Sequence, residues 1–210
     1  MKRVAALSIA QNLVEEISPA CDRIQIAGSL RREKSEVKDI EIVAIPAMGE
    51  THVIDMFGNT LESKPCSTLD TLFDFYLGQD VFAWEKDKDL KRWGPRYRRL
   101  SHIETGICCD LFLTDELRWA YQLTIRTGPA RFSKAIVTLA LRRGWHFSEC
   151  QLHLHPKVKG KPCARGKVCS FIKPLSTEEE LFNELKLPWC EPAERSEDWL
   201  WEIERNRVTL

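Results

Sequence analysis

Asp39 and Glu41 stand two residues apart in the β-prone run Asp39-Ile40-Glu41-Ile42-Val43-Ala44-Ile45. Side chains alternate faces along a strand, so both acids point one way while Ile40 and Ile42 point into the core. Two carboxylates one strand repeat apart do not ionise together easily without a compensating cation. Hard oxygen donors of this kind suit Mg²⁺, which commonly takes one or two carboxylates together with substrate phosphates. A third acid, Asp110, lies inside the apolar run Ile107-Cys108-Cys109-Asp110-Leu111-Phe112-Leu113. An acid within a core strand is costly unless it has a partner. Three such acids point to a two-metal site for phosphoryl or nucleotidyl transfer.

A lone Asp-x-Glu on a strand would ordinarily be a solvated edge. Here the acids follow a short strand (Ile24 to Ile26) and a turn, Gly28-Ser29-Leu30-Arg31-Arg32. A small-residue turn beside arginine suits a triphosphate, since Arg32 brings planar, fixed donors to phosphate oxygens. The combination is more specific than either half.

Gly28-Ser29-Leu30-Arg31-Arg32 followed by Asp39-x-Glu41 resembles the GSxRR…DxD signature of the family X DNA polymerases. Arg126-Thr127-Gly128-Pro129-Ala130-Arg131-Phe132 is similar to the family's TGS-x-x-F motif. Thr177-Glu178-Glu179-Glu180-Leu181-Phe182 and Leu187-Pro188-Trp189-Cys190-Glu191-Pro192-Ala193-Glu194-Arg195 resemble its C-terminal EEE-x-F…LGLP…EP-x-x-R segment. Four blocks in order cover most of residues 7–197.

The resemblance implies an α+β fold: a nucleotidyltransferase palm with a small mixed β-sheet over residues 1–125, then a small α+β thumb over 126–210 that closes on the nucleotide. It implies a DNA-directed DNA polymerase adding deoxynucleotides to a primer 3′-hydroxyl in gap-filling repair. By the same resemblance two Mg²⁺ ions, replaceable by Mn²⁺, are held by Asp39, Glu41 and Asp110. Gly28, Ser29, Arg32, Thr127 and Gly128 bind the nucleoside triphosphate, with Gly128 admitting the sugar and Phe132 a core anchor. The partners are gapped or primer-template DNA and a deoxynucleoside triphosphate. The family's cis peptide maps to Gly128–Pro129, where proline lowers the cis penalty to about 0.5–1 kcal/mol, so a cis bond is expected. The first palm helix starts almost at Met1, so neither a lyase nor a helix-hairpin-helix domain is expected, nor deoxyribose-phosphate lyase activity. Five positions depart from the pattern. Glu41 replaces the second Asp, Lys38 stands where Gly often precedes the first acid, and Ile125-Arg126 replaces an aromatic pair. Cys108 replaces an Arg two residues before the third acid, which removes one electrostatic restraint on it.

The positioning elements follow from pattern. A first helix carries Val4, Leu7, Val14 and Ile17 on its buried side. A short helix is expected over Thr51 to Phe57, and another from Leu69 to Leu77 closed by Gly78. Arg96 to His102 and Ile107 to Leu113 read as an antiparallel pair, and Thr114-Asp115-Glu116 caps a helix to about Thr124. Residues 130–143 form a basic helix stopped at Gly144. Trp145 to Lys173 reads as short strands and a hairpin, and a capping box over Thr177–Glu180 opens the last helix.

The chain has 210 residues, 43% hydrophobic and 30% charged, as a globular domain or two small subdomains would. No run is long enough to span a membrane. Eight cysteines without an export signal fit a reducing cytoplasm, and a monomer is expected. Net charge is zero, yet it is distributed unevenly. Basic blocks at Lys86–Arg99 and Arg126–Lys167 suit a phosphate backbone, with Lys91, Arg92, Arg96, Arg98, Arg131 and Lys134 as the DNA contacts. Cys150, His153, His155, Cys163 and Cys169 match no common zinc spacing. They read as ordinary thiols and surface histidines, and zinc is not expected. Trp189, Trp199 and Trp201 read as packing anchors. Two rival functions stay open: a nucleotidyltransferase acting on RNA, protein or a small molecule, and a non-catalytic DNA-end-binding module.

Overall fold

The computed structural model describes residues 1–57, 59–76, 81–84, 93–155, 171–199 and 202. The chain divides into two compact units: Met1–Ile26 with Glu36–Thr114, and Ala27–Ser35 with Asp115–Leu210.

The first unit opens with helix α1 (Arg3–Ile17), followed through a short 3-10 turn by strand β1 (Cys21–Ile26). The helix buries Ala6, Ala10, Leu13 and Ile17, a stripe at the 3–4 residue spacing of one helical face. The expected stripe is thereby rotated: Val4 is 80% exposed, and Leu7 and Val14 lie at its flank. Small alanines at the centre of the true stripe weaken the hydrophobic signal that would have located it.

Strands β2 (Asp39–Pro46), β5 (Phe82–Trp84), β6 (Trp93–Gly94), β7 (Tyr97–His102) and β8 (Cys108–Leu113) join β1 in a mixed sheet. Its order is β1-β2-β8-β7-β5, with β6 paired to β7. Only the β2–β8 pair is parallel; the other pairs run antiparallel. Residues 51–57 are not helical. Strand β3 (Met48–Ile54) pairs antiparallel with β4 (Thr60–Ser67), and the turn between them is held by Asp55, whose Oδ1 accepts from the backbone N–H of Phe57 and Asn59. An aspartate that captures its own downstream backbone in this way competes with helix formation. Helix α3 (Thr68–Tyr76) follows, and the Leu77-Gly78 stop expected for it lies outside the described residues.

The second unit contains the short helix α2 (Gly28–Arg31), α4 (Trp119–Thr127), α5 (Ala130–Arg142) and α6 (Glu178–Glu184). Asp115 sits before α4, where Oδ1 accepts from the backbone N–H of Arg118. The helix runs to Thr127, three residues beyond the expected end. The capping box on α6 is present as read: Thr177 Oγ1 accepts from the Glu180 N–H, and the Glu180 carboxylate accepts from Thr177. A three-stranded sheet, β9 (His146–Ser148), β10 (Gln151–His153) and β11 (Ile172–Lys173), completes the unit. Its core collects Phe132, Ile136, Leu152, Leu181, Phe182 and Trp199.

No cis peptide bond occurs among the described residues, so the expectation at Gly128–Pro129 is corrected. Gly128 is extended (φ −70°, ψ 151°), and Pro129 (φ −66°) serves as N-cap of α5, a position its ring fits in the ordinary trans form. No described helix is long and apolar enough to cross a membrane.

Candidate active site

In the first unit, alternation and register together build an acidic face. Glu41 on β2 is paired in parallel register with Asp110 on β8, and Asp39 is paired with Cys108. Strand β7 adds Arg99 opposite Asp110 and Tyr97 opposite Phe112. Asp39, Glu41, Asp110, Tyr97 and Arg99 therefore share one face. Ile40, Ile42, Cys109, Leu111 and Leu100 fill the other, all nearly inaccessible.

Asp110 is 6% exposed and does not stand alone there. Arg99 grips it with two donors, Nε to Oδ1 at 2.6 Å and a terminal nitrogen to Oδ2 at 2.8 Å. Tyr97 donates its hydroxyl to Oδ1 at 2.7 Å. Burial, then this hydrogen bond to a carboxylate, pushes the Tyr97 phenol up to about 12, so it stays a donor. The same carboxylate raises the Arg99 guanidinium, which stays charged. The restraint missing at Cys108 is thus supplied by an arginine on the neighbouring strand. A carboxylate offers about four lone-pair sites. The described residues occupy both on Oδ1 and one on Oδ2, which leaves Oδ2 able to accept once more. Asp39 and Glu41 are half-exposed, so a solvated ion reaches them.

Arg98, expected on DNA, alternates to the opposite face of β7. It is 4% exposed, forms an ion pair with Asp70 of α3, and lies 5.6 Å from the Phe73 ring centroid. That assignment is corrected: a buried guanidinium paired to an acid and stacked on an aromatic ring is a packing element. Arg96 and Lys134 are exposed, and Arg131 is exposed but paired with Asp198 at 3.1 Å. Lys91 and Arg92 lie outside the described residues.

The second unit holds all five residues expected to bind nucleotide. Gly28 adopts φ +62°, a left-handed conformation that glycine tolerates and side chains resist. Ser29 Oγ is buried with no hydrogen-bond partner among the described residues. Orphaned buried hydroxyls are rare, and a ligand oxygen is one way to satisfy this one. Arg32 donates to the Thr127 carbonyl, and Arg31 donates to Thr127 Oγ1 at 2.8 Å. At Gly128 a Cβ would lie 2.2 Å from Phe132 Cδ1, so the packing of that ring requires glycine there. Phe132 is a core anchor, 1% exposed.

Behind Thr127 lies a buried ionic knot that the sequence reading missed. Glu178 accepts from Arg31 at 2.6 Å, from Arg195 at 2.7 Å and from Thr124 Oγ1 at 3.1 Å. Burial acts to raise the Glu178 carboxyl, but Arg31 and Arg195 together outweigh it and hold the group below the usual range. Arg195, 1% exposed, also donates to the Cys190 carbonyl. Its guanidinium lies 5.3–5.7 Å from the rings of Phe132, Phe182 and Trp189. The signal was in the motifs: Arg31, Glu178 and Arg195 each fall inside a block that carries the resemblance.

Comparison with known proteins agrees with this fold. The DNA polymerase beta thumb family model matches residues 122–196. DNA polymerase lambda of Rattus norvegicus is 27% identical over 183 residues, which cover 82% of this chain. The chain is similar to the family X DNA polymerases. It spans about 28% of the length of that curated relative. The fold is also that of Leishmania infantum polymerase beta, solved as a ternary primer/template complex. That likeness has a TM-score of 0.66 at 16% identity and covers 93% of this chain and 76% of the other. The matched thumb segment lies wholly within the second unit.

Proposed function

We propose that this chain is a DNA-directed DNA polymerase that adds deoxynucleotides to a primer 3′-hydroxyl by two-metal nucleotidyl transfer, filling short gaps in DNA repair. The observation that carries the reading is the register of β2 and β8, which sets Asp110 beside Glu41, with Asp39 one repeat away on the same face. The donor set fits hard divalent cations, because all three groups are carboxylates and two are half-exposed. Asp39, Glu41 and Asp110 would hold the Mg²⁺ ions, and Mn²⁺ would substitute. When bound, the ions supply Lewis-acid stabilisation of charge on the attacking and departing oxygens.

The chain's own residues do the rest. Arg99 and Tyr97 fix the Asp110 carboxylate in orientation, so it can accept the proton of the primer 3′-hydroxyl. Ser29 Oγ and Arg32 bind the triphosphate, and Arg31 fixes Thr127 beside them. Residues 1–125 act as palm and 126–210 as thumb, and exposed Arg96 and Lys134 contact the DNA backbone. The test is primer extension on a one-nucleotide-gapped duplex with Mg²⁺ or Mn²⁺. Templated addition by the wild type and its loss in Asp110→Asn support the reading. Failure of the wild type on gapped, nicked, blunt and single-stranded DNA would overturn it.

A further inference from the structure

Strands β9 and β10 are joined by a two-residue turn in which Glu149 (φ 50°) and Cys150 (φ 61°) are both left-handed. This geometry matches the twist of a hairpin and fixes its register. It pairs His146 with His153 and Phe147 with Leu152. Phe147, Leu152 and Leu154 face the apolar core, so alternation directs His146, His153 and His155 together to the opposite face. The reading of His153 as a surface residue is corrected: His146 is 2% and His153 4% exposed.

One potential ligand atom from each of the three imidazoles lies within 4.8 Å of the others. His146 Nδ1 lies 2.8 Å from the His155 carbonyl. A carbonyl only accepts, so Nδ1 carries the proton and Nε2 presents a lone pair when the ring is neutral. A ring N–H on a backbone carbonyl is the support commonly found behind metal-bound histidines. The three ring centroids lie 4.8–5.8 Å apart, close enough for the imidazoles to converge on one ion.

We infer that His146, His153 and His155 form a Zn²⁺ site that ties β9 to β10, with the fourth position open to water or another ligand. Three imidazole nitrogens suit Zn²⁺ far better than Mg²⁺. Zinc–nitrogen bonds of about 2.0–2.1 Å set tetrahedral ligand atoms roughly 3.4 Å apart. Binding would therefore draw the ligand atoms, now within 4.8 Å of one another, closer together. The site is separate from the carboxylates that hold the polymerase metals, and its test does not depend on polymerase activity.

The test is a zinc titration of the chelator-stripped full chain against a competing chromophoric chelator. The wild type should take one zinc, and His155→Ala should bind it at least about tenfold more weakly. His155 is the least buried of the three, and unchanged circular dichroism would show that the variant folds. A second readout needs no variant: in ¹⁵N-edited spectra of wild type, zinc should shift the ring nitrogens of three of the five histidines. No zinc uptake would overturn the inference, as would uptake indifferent to His155 or a titration that leaves the imidazole resonances unmoved.

Discussion

Asp110 and Glu178 are both buried carboxylates bound by arginine, yet their surroundings assign them different tasks. Asp110 has one arginine and sits on a sheet face shared with two half-exposed acids, with acceptor capacity left on Oδ2. Glu178 has two arginines and a threonine, and its partner Arg195 is stacked among three aromatic rings. The first arrangement keeps a charge available to an incoming cation. The second cancels the charge and closes around it. A buried acid held by two arginines and a threonine is structural, whereas one that shares its sheet face with two half-exposed acids is a candidate for chemistry.

That contrast can be broken first through activity. Asp110→Asn keeps the shape and removes the charge, and nucleotide incorporation should fall by at least about two orders of magnitude. Glu178→Ala should instead strike stability. It leaves Arg31 and Arg195 buried without their anion, at a cost of about 3–5 kcal/mol in urea unfolding. If Glu178→Ala proved stable and inactive while Asp110→Asn proved active, the two assignments would be reversed.

Acid titration sharpens the same point. The folded-state carboxyl of Glu178 is depressed below its ordinary value of 4.5. Its contribution to stability is therefore full above about pH 4.5 and lost as pH falls through the depressed folded value. The urea midpoint of the wild type should drop over that window, and Glu178→Gln should flatten the drop. A smaller effect comes from Gly128→Ala, which drives a methyl group into Phe132 and should cost about 1–3 kcal/mol. A thermal melt checks it, and a neutral result would mean that the ring moves aside freely. Smallest and opposite in sign, Glu149→Asn with Cys150→Gly should raise stability by about 1 kcal/mol, because these residues suit left-handed turn positions.

The two regions also differed in how far the sequence revealed them. The acidic face was legible because strand alternation has a period of two and Ile40, Ile42, Cys109 and Leu111 alternate with the acids. Asp39, Glu41 and Asp110 needed no tertiary information beyond pairing of β2 with β8. Arg99 escaped because its role depends on cross-strand register, and a cluster of basic residues looks alike whether it faces solvent or a carboxylate. Arg98, one residue away, was misassigned for the same reason. The Glu178 knot joins positions 147 residues apart in the chain, and no local pattern encodes such a contact. The histidine trio was half seen: His153 and His155 stood out, while His146 required the hairpin, whose Glu-Cys turn lacks the usual Asn-Gly signal. Helix α1 was found, but its buried face was misplaced because its centre is alanine.

The most direct measurement of the central claim is Mn²⁺ binding, followed by electron paramagnetic resonance, in the wild type, in Asp39→Asn with Glu41→Gln, and in Glu178→Gln. The account predicts bound Mn²⁺ in the wild type and in Glu178→Gln, and its loss when the two strand acids are neutralised. Equal binding by all three proteins would contradict the assignment of the β2–β8 face as the metal-bearing site.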